Sequence, residues 1–316
     1  MLIAVLGVAG VMLATSRHGG ATRHKSEVSV RGTSTTRVRA TTSTKRAPTA
    51  TIAPTTIAPA TSNPTAPPAA PAPTAPPVTA AVTTNPPVAP ASSGSLAALR
   101  GRTITVDPGH NGGNYAHTSE INRPIFIGTQ TRACDTTGTE TNDGYTEAAY
   151  NLDVALRLRA VLQAAGANVV MTRTTNDGWG PCIDQRAAIG NDAHAAAAIS
   201  IHADGGPADG RGFHVLMPAL VAGYTDDIYT ASHRLGIDVR DAFTATGMPT
   251  STYYASQGLA ERTDLGGLNL SNVPKVFIET GNMRNSTDAS MLEDANFRQR
   301  EAQDLAIGLD RFLAGA

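Results

Sequence analysis

Several features are scarce in this 316-residue chain, and each scarcity excludes something. No apolar run reaches the about 20 residues that a membrane-spanning helix needs. The longest, residues 1–14 (MLIAVLGVAGVMLA), has the length of an export-signal core instead. Cysteine occurs twice, at Cys134 and Cys182, so at most one intramolecular disulfide can form. Aromatics make up 4% of the chain and none falls within residues 17–97. That stretch cannot bury enough apolar surface to fold. Basic charge is also missing where it would matter for nucleic acid. Eight of the 25 Lys and Arg precede Ala98, against one acid, Glu27. The remainder carries 17 basic and 25 acidic residues. An acidic domain is a poor match to a phosphate backbone, so a nucleic-acid partner is not expected. There is no internal repeat and no short metal signature of the HExxH type.

Composition divides the chain into three. Residues 1–16 read as a signal peptide or a membrane anchor. The run lacks the Lys or Arg that normally precedes a signal core, and basic residues follow it from Arg17. Export is expected, with cleavage and anchoring both open, and anchoring would give an N-terminal membrane contact. Residues 17–97 are rich in Ala, Pro, Thr and Ser, and 13 of the 20 prolines lie between Pro48 and Pro90. Such a segment reads as a disordered, semi-extended linker. Residues 98–316 remain as one domain, long enough for a single core. In an exported chain an isolated cysteine pair forms a disulfide; in a reducing compartment it would stay as two thiols. The loop it would close, about 47 residues, corresponds to roughly 4 kcal/mol in the chain-entropy model.

Within that domain the pattern alternates. β-Branched or apolar strands are expected at 103–106, 168–172, 195–201, 212–217 and 273–278. Helices are expected at 145–165, 183–192, 226–246 and 295–313. Residues 111–143 are rich in Gly, Asn and Thr and read as a long loop with a hairpin near 124–132. Strands that are apolar throughout, alternating with helices, predict an α/β fold: a mostly parallel, twisted sheet with helices on both faces.

Chemistry is expected where strands end. His110, His202 and Glu279 fall at such ends, and Glu147 opens a helix. Two imidazoles and a carboxylate are a known set of ligands for catalytic zinc, with a fourth position left for water. A further carboxylate beside that water is what a hydrolase needs as a base. Each residue also has a plainer reading: a turn histidine, a carboxylate favoured by a helix N-terminus, or a strand-end acid with a partner. Residue types and spacing therefore reach a metallohydrolase and go no further. Asp107 and Asp204 are candidates to orient a ligand imidazole. His214 reads as structural or as such a supporting residue.

Four motifs, in order, carry a resemblance. VDPGHNG (106–112), GYTEAAYNLDVALRLRAVLQ (144–163), SIHADGG (200–206) and FIETGNMRN (277–285) resemble the zinc-dependent N-acetylmuramoyl-L-alanine amidases of the Amidase_3 family. The likeness spans residues 102–313 and is greatest to the short secreted actinobacterial enzymes. It implies zinc ligation by His110, Glu147 and His202, a catalytic role for Glu279, and pairing of Cys134 with Cys182. It also implies the same mostly parallel sheet. Asn111, Asp204 and Asn282 flank the motifs and are candidate substrate contacts. The final motif departs from the usual pattern after Gly281, which bears on substrate contacts and not on the carboxylate.

The expected activity is hydrolysis of the amide between N-acetylmuramic acid and L-alanine in peptidoglycan or its muropeptide fragments. Two other readings use the same residues: a zinc peptidase acting on stem peptides, and a wall-binding protein without activity. A monomer acting in the periplasm, wall or medium is expected, with the 111–143 loop either walling the cleft or lying inert on the surface.

Overall fold

The computed structural model describes residues 95–315, so the expectations for residues 1–16 and nearly all of 17–97 lie outside the described residues. The elements run β1 (Thr103–Pro108), α1 (Thr118–Ile121), β2 (Pro124–Phe126), β3 (Thr131–Ala133), α2 (Glu147–Ala164), β4 (Asn168–Met171), α3 (Ile183–Asp192) and β5 (Ala197–Asp204). They continue with β6 (His214–Pro218), α4 (Tyr229–Phe243), β7 (Leu259–Arg262), α5 (Gly266–Asn269), β8 (Lys275–Asn282), α6 (Ser286–Glu293) and α7 (Ala295–Ala314). Six strands form one sheet in the order β4-β1-β5-β8-β6-β7. All neighbouring pairs are parallel except β6 with β8, so the sheet is mixed but mostly parallel. β2 and β3 make the separate hairpin expected in the 111–143 segment.

The two faces of the sheet differ in kind. Ile104, Val106, Ile199, Ile201, Val276 and Ile278 all join the main core with Tyr150, Val154 and Leu158 of α2, Leu235 of α4 and Leu305 of α7. Side chains alternate along a strand, so the intervening residues point the other way. These are Thr105 and Asp107 on β1, Ser200 and His202 on β5, and Lys275, Phe277 and Glu279 on β8. That second face is covered by α3 and α5, whose Gly190 and Gly267 approach Thr105 and Phe277 respectively. The sequence pattern predicts strands that are apolar on both faces. One face is instead polar and buried, which the alanines of β5 and the burial of the charges conceal.

α2 is well specified at both ends. The Thr146 side chain accepts a hydrogen bond from the Ala149 amide as N-cap. Gly166, at φ +88°, ends the helix in the left-handed region that favours glycine. Its inward residues Tyr150, Val154, Leu158 and Leu162 recur every four positions and are fully buried. Tyr150 also carries a polar tie across the core. Its hydroxyl meets the Glu301 carboxyl of α7 at 2.8 Å and the Thr280 hydroxyl of β8 at 2.5 Å. Among the described residues no helix is long and apolar enough to cross a membrane.

Candidate functional site

β5 and β8 lie side by side in the middle of the sheet, and their register places His202 directly opposite Glu279. Both strands run past these residues, to Asp204 and Asn282, so His202 and Glu279 lie inside strands and not at their ends. On the other flank of β8, His214 of β6 also stands opposite Glu279. β1 contributes from the second neighbouring position. It stops at Pro108, and the chain turns through Gly109 into His110 at φ +55°. That region is uncommon for a residue with a side chain. It is held by two buried arginines. Arg173 donates to the carbonyls of Pro108 and Gly109 at 3.0 and 2.9 Å. Arg186 donates to those of Pro108 and His110 at 2.8 and 2.9 Å. Gly109 is required by close approach, because a Cβ there would lie 2.1 Å from Cε1 of His202.

Glu147, the first residue of α2, is brought under both imidazoles. Its Oε1 lies 3.3 Å from His110 Nε2 and 2.9 Å from His202 Nδ1. Its Oε2 accepts from the Thr139 amide at 2.9 Å. One ligand atom from each of His110, Glu147 and His202 lies within 4.8 Å of the others, so the three form a cluster able to hold a metal ion. Ligands about 2.0–2.1 Å from a tetrahedral zinc are separated by roughly 3.4 Å, close to the two contacts with Glu147. The outer nitrogens are also spoken for. His110 Nδ1 faces Asp135 Oδ1 at 3.1 Å. His202 Nε2 faces the Ser200 hydroxyl at 3.2 Å, and that hydroxyl in turn donates to Asp107 at 2.9 Å. With a metal ion in the cluster, donation outward through these nitrogens would leave a lone pair on each ring for the ion, as metal ligation requires.

The electrostatics agree with that fit. Burial works against a charge on His110, but Glu147 and Asp135 outweigh it and push its pKa up to about 10. The pocket thus favours positive charge at the point where three ligand atoms converge. Glu147 is opposed by burial but held well below its ordinary range by the His110 and His202 imidazoles. Glu279 is driven the other way. Burial, then the charges of Glu147 and Asp204, raise its carboxyl well above the usual value of 4.5. Its Oε2 is buried and has no hydrogen-bond partner. A carboxyl with a raised pKa and a free oxygen suits proton transfer near neutral pH.

All four residues open on one pocket of about 330 Å³, walled by residues 136–139 and by Asp204 and Gly205. A larger cleft of about 750 Å³ shares Thr137, Gly138, Thr139 and Gly205 with it and extends past Asn111, Tyr115, Glu140 and Arg284. The 111–143 segment therefore forms a wall of the cleft. It is pinned there by reciprocal bonds between Thr139 and Glu147. Gly138, at φ +77°, passes so near that a Cβ would lie 2.7 Å from Glu147 Oε2.

This architecture matches a known family. The model of the family described as N-acetylmuramoyl-L-alanine amidase, Amidase_3, matches residues 104–311. The chain belongs to the Amidase_3 family. It is 39% identical over 230 residues to the N-acetylmuramoyl-L-alanine amidase Rv3717 of Mycobacterium tuberculosis, covering 71% of this chain and 91% of that protein. Among solved structures, the N-acetylmuramyl-L-alanine amidase Ami1 of Mycobacterium smegmatis aligns with a TM-score of 0.65 and 39% identity. That alignment covers 69% of this chain and 99% of the other. The apo form of Ami1 from Mycobacterium abscessus gives 0.64 and 39%, covering 68% and 99%.

The remaining residues singled out from the sequence fall in different places. Cys134 and Cys182 are bonded to each other. Asn111 lines the large cleft, with its amide donating to the Gly180 carbonyl at 3.1 Å. Asp204 lines the smaller pocket and accepts from the Tyr253 hydroxyl at 3.0 Å. Asn282 is fully buried and spends its amide on the carbonyls of Pro207 and Gly210, at 2.7 and 2.8 Å. Asp204 holds no imidazole; Asp107 reaches His202 only through Ser200. The residue that meets His110 directly is Asp135, which the sequence pattern does not single out, and the same holds for Arg173 and Arg186. A buried arginine is legible in sequence only as an arginine. The nearest signal was the Cys-Asp pair at 134–135, next to an expected disulfide.

Proposed function

We propose that the chain is a zinc-dependent N-acetylmuramoyl-L-alanine amidase that hydrolyses the bond between N-acetylmuramic acid and L-alanine in peptidoglycan or its fragments. The observation that carries this is the convergence of His110, Glu147 and His202 beside a buried Glu279 oxygen with no partner. In this reading the first three hold zinc, which when bound supplies a Lewis acid to the amide carbonyl and lowers the pKa of water. Glu279 takes a proton from the attacking water. It then delivers a proton to the alanine nitrogen as the carbon–nitrogen bond breaks, because an amine leaves poorly without one. The products are a lactyl carboxylate on the sugar and a free amino terminus on the peptide. Asn111 and Asp204, on the walls of the two cavities, are the better placed of the candidate substrate contacts; Asn282 supports the 207–210 loop behind them.

The same reading assigns residues 1–16 to an export signal or anchor, 17–97 to a linker and 98–316 to a monomeric catalytic domain acting outside the membrane. The 27% identity to a probable cell wall amidase, LytH of Staphylococcus epidermidis, supports that location. The test is to incubate the protein with muramyl-dipeptide-type fragments, with and without a chelator, and to identify products by mass spectrometry. Lactyl-bearing sugar plus free L-Ala peptide, lost on chelation and restored by zinc, is the expected result. An intact sugar–alanine linkage with cleaved stem peptide would make the protein a peptidase, and no cleavage of either would overturn the reading.

A further inference from the structure

Asp135 sits at the meeting point of two otherwise separate features, the metal cluster and the disulfide. It is buried, and its two oxygens do different things. Oδ1 accepts from His110 Nδ1 at 3.1 Å and from the Thr136 amide at 2.8 Å. Oδ2 accepts from Arg186 Nη2 at 3.0 Å. Arg186 in turn binds Asp107 at 2.9 Å, and Asp107 binds the Ser200 hydroxyl that faces His202. A single buried chain of hydrogen-bonded side chains, Asp135, Arg186, Asp107 and Ser200, therefore links the outer nitrogens of both imidazoles.

The disulfide fixes two inner members of this chain, Asp135 and Arg186, relative to each other. Cys134 directly precedes Asp135, and Cys182 is the N-cap of α3. Arg186 is four residues further along α3, where it stacks over the cap one turn below. The bond thus brackets the Asp135–Arg186 pair, joining the backbone on both sides at a Cα–Cα distance of 4.4 Å. The Ile183 amide donates to the Cys134 carbonyl at 2.8 Å and reinforces the same junction.

We infer that Asp135 is a positioning residue that holds His110 for metal ligation, and that the Cys134–Cys182 disulfide sets Asp135 in place, so that metal affinity depends on the disulfide. The inference rests on the metal reading of the His110, Glu147 and His202 cluster. The Thr136 carbonyl, also 3.1 Å from His110 Nδ1, is a neutral substitute acceptor. Loss of Asp135 therefore weakens metal binding without abolishing it.

The experiment is a zinc titration of the metal-stripped full chain against a chromophoric chelator, well below each variant's melting temperature. Asp135→Ala should bind zinc about 10–100-fold more weakly, the usual effect of removing a partner of a ligand imidazole. Asp135→Asn, which keeps the shape, should fall between it and wild type. The Cys134→Ser/Cys182→Ser double variant should weaken zinc binding by about tenfold on the same grounds. Arg132→Ala is the control. It removes the ion pair between Arg132 of the hairpin and Asp264 of the segment joining β7 to α5, touches neither Asp135 nor the cluster, and should leave zinc affinity unchanged. With cobalt in place of zinc, the visible absorption band should shift in Asp135→Asn, which a general loss of stability would not produce. Wild-type zinc affinity in both folded Asp135 variants overturns the inference. Wild-type affinity in the cysteine double variant overturns its disulfide half. A wild-type protein that binds no zinc overturns the metal reading itself, and this inference with it.

Discussion

Replacing Asp107 with asparagine is expected to destabilise the domain by about 4 kcal/mol, the middle of the range for breaking a buried ion pair by removing one partner. Asp107 is fully buried and receives four donors. Lys275 Nζ and Arg186 Nη1 each approach at 2.9 Å, the Thr172 hydroxyl at 2.7 Å and the Ser200 hydroxyl at 2.9 Å. Asparagine keeps one acceptor but turns an amide N–H₂ toward this set. Arg186 retains Asp135 as a counterion, whereas Lys275 is left buried with none. That asymmetry locates the cost at Lys275. The double variant Asp107→Asn/Lys275→Met should therefore recover a large part of the loss, since an apolar side chain needs no partner. The assay is urea unfolding of the oxidised protein in the presence of a chelator, so that metal binding does not contribute. The midpoint should fall with an unchanged slope, and the melting temperature should drop by about 8–16 °C. Burial opposes the Asp107 charge, but Lys275 and Arg186 overcome it and hold the carboxyl far below its ordinary 3.8. A lowered folded pKa contributes stability that is present above the unfolded pKa and lost as pH falls through the folded one. The gap between wild type and Asp107→Asn should thus stay constant from about pH 5 to 8 and close only in strong acid. A single variant within about 1 kcal/mol of wild type, or a double variant no better than the single, would refute the reasoning, because a buried lysine cannot lose its counterion that cheaply.

Glu279→Gln should keep the fold and the zinc content while turnover falls by about 10²–10⁴-fold, the range for loss of a general acid–base group; near-wild-type turnover would remove Glu279 from the mechanism. His202→Ala should lose bound metal, read by mass spectrometry of the native protein. Gly109→Ala should do so in part, because the added methyl would meet the His202 ring at 2.1 Å; unchanged metal content in Gly109→Ala would show that the ring has room to move. His214 is buried with its Nδ1 unpartnered, and burial, against Asp204 and with Arg262, pushes its pKa down to about 4 from 6.5. Its neutral form is favoured by folding, so stability is full above about pH 6.5 and declines toward about pH 4, by about 3 kcal/mol in all. The difference in urea midpoint between wild type and His214→Leu should show this slope, and a flat difference across that window would contradict it.

The residues of the His110, Glu147 and His202 cluster and Glu279 were legible in the sequence because changes from an apolar run to polar residues are local. A β-branched run followed by Asp-Pro-Gly-His, or an Ala/Ile run followed by His-Ala-Asp-Gly, marks polar side chains at the margin of an apolar segment, even though β5 and β8 continue beyond His202 and Glu279. The hairpin at 124–133 and the helices at 147–164 and 183–192 were readable for the same reason, through turn residues and four-residue periodicity. The edge strand β7 was not, since four residues with an exposed glutamate carry no clear alternation. α6 was missed because its polar residues hide one buried leucine, Leu292.

Three things were decided only by the tertiary structure. The first is that His202 and Glu279 stand in register on adjacent strands, with Glu147 delivered beneath them from a helix. Sheet order depends on which apolar faces pack together, and no local spacing encodes it. The second is that one face of the sheet is a buried network of Asp107, Lys275, Arg186 and Asp135. In sequence these are four ordinary charges, scattered over 168 residues between Asp107 and Lys275; only burial, where an unpaired charge is too costly to persist, turns them into a set. The third is the raised pKa of Glu279, which arises from desolvation and from Glu147 and Asp204, and so exists only once the fold has excluded water and brought three carboxylates near one another. The sequence by itself determined which side chains could bind a metal and move a proton, because side-chain chemistry is intrinsic to each residue. Their convergence, orientation and protonation are properties of the pocket, set by long-range packing that a linear pattern does not contain.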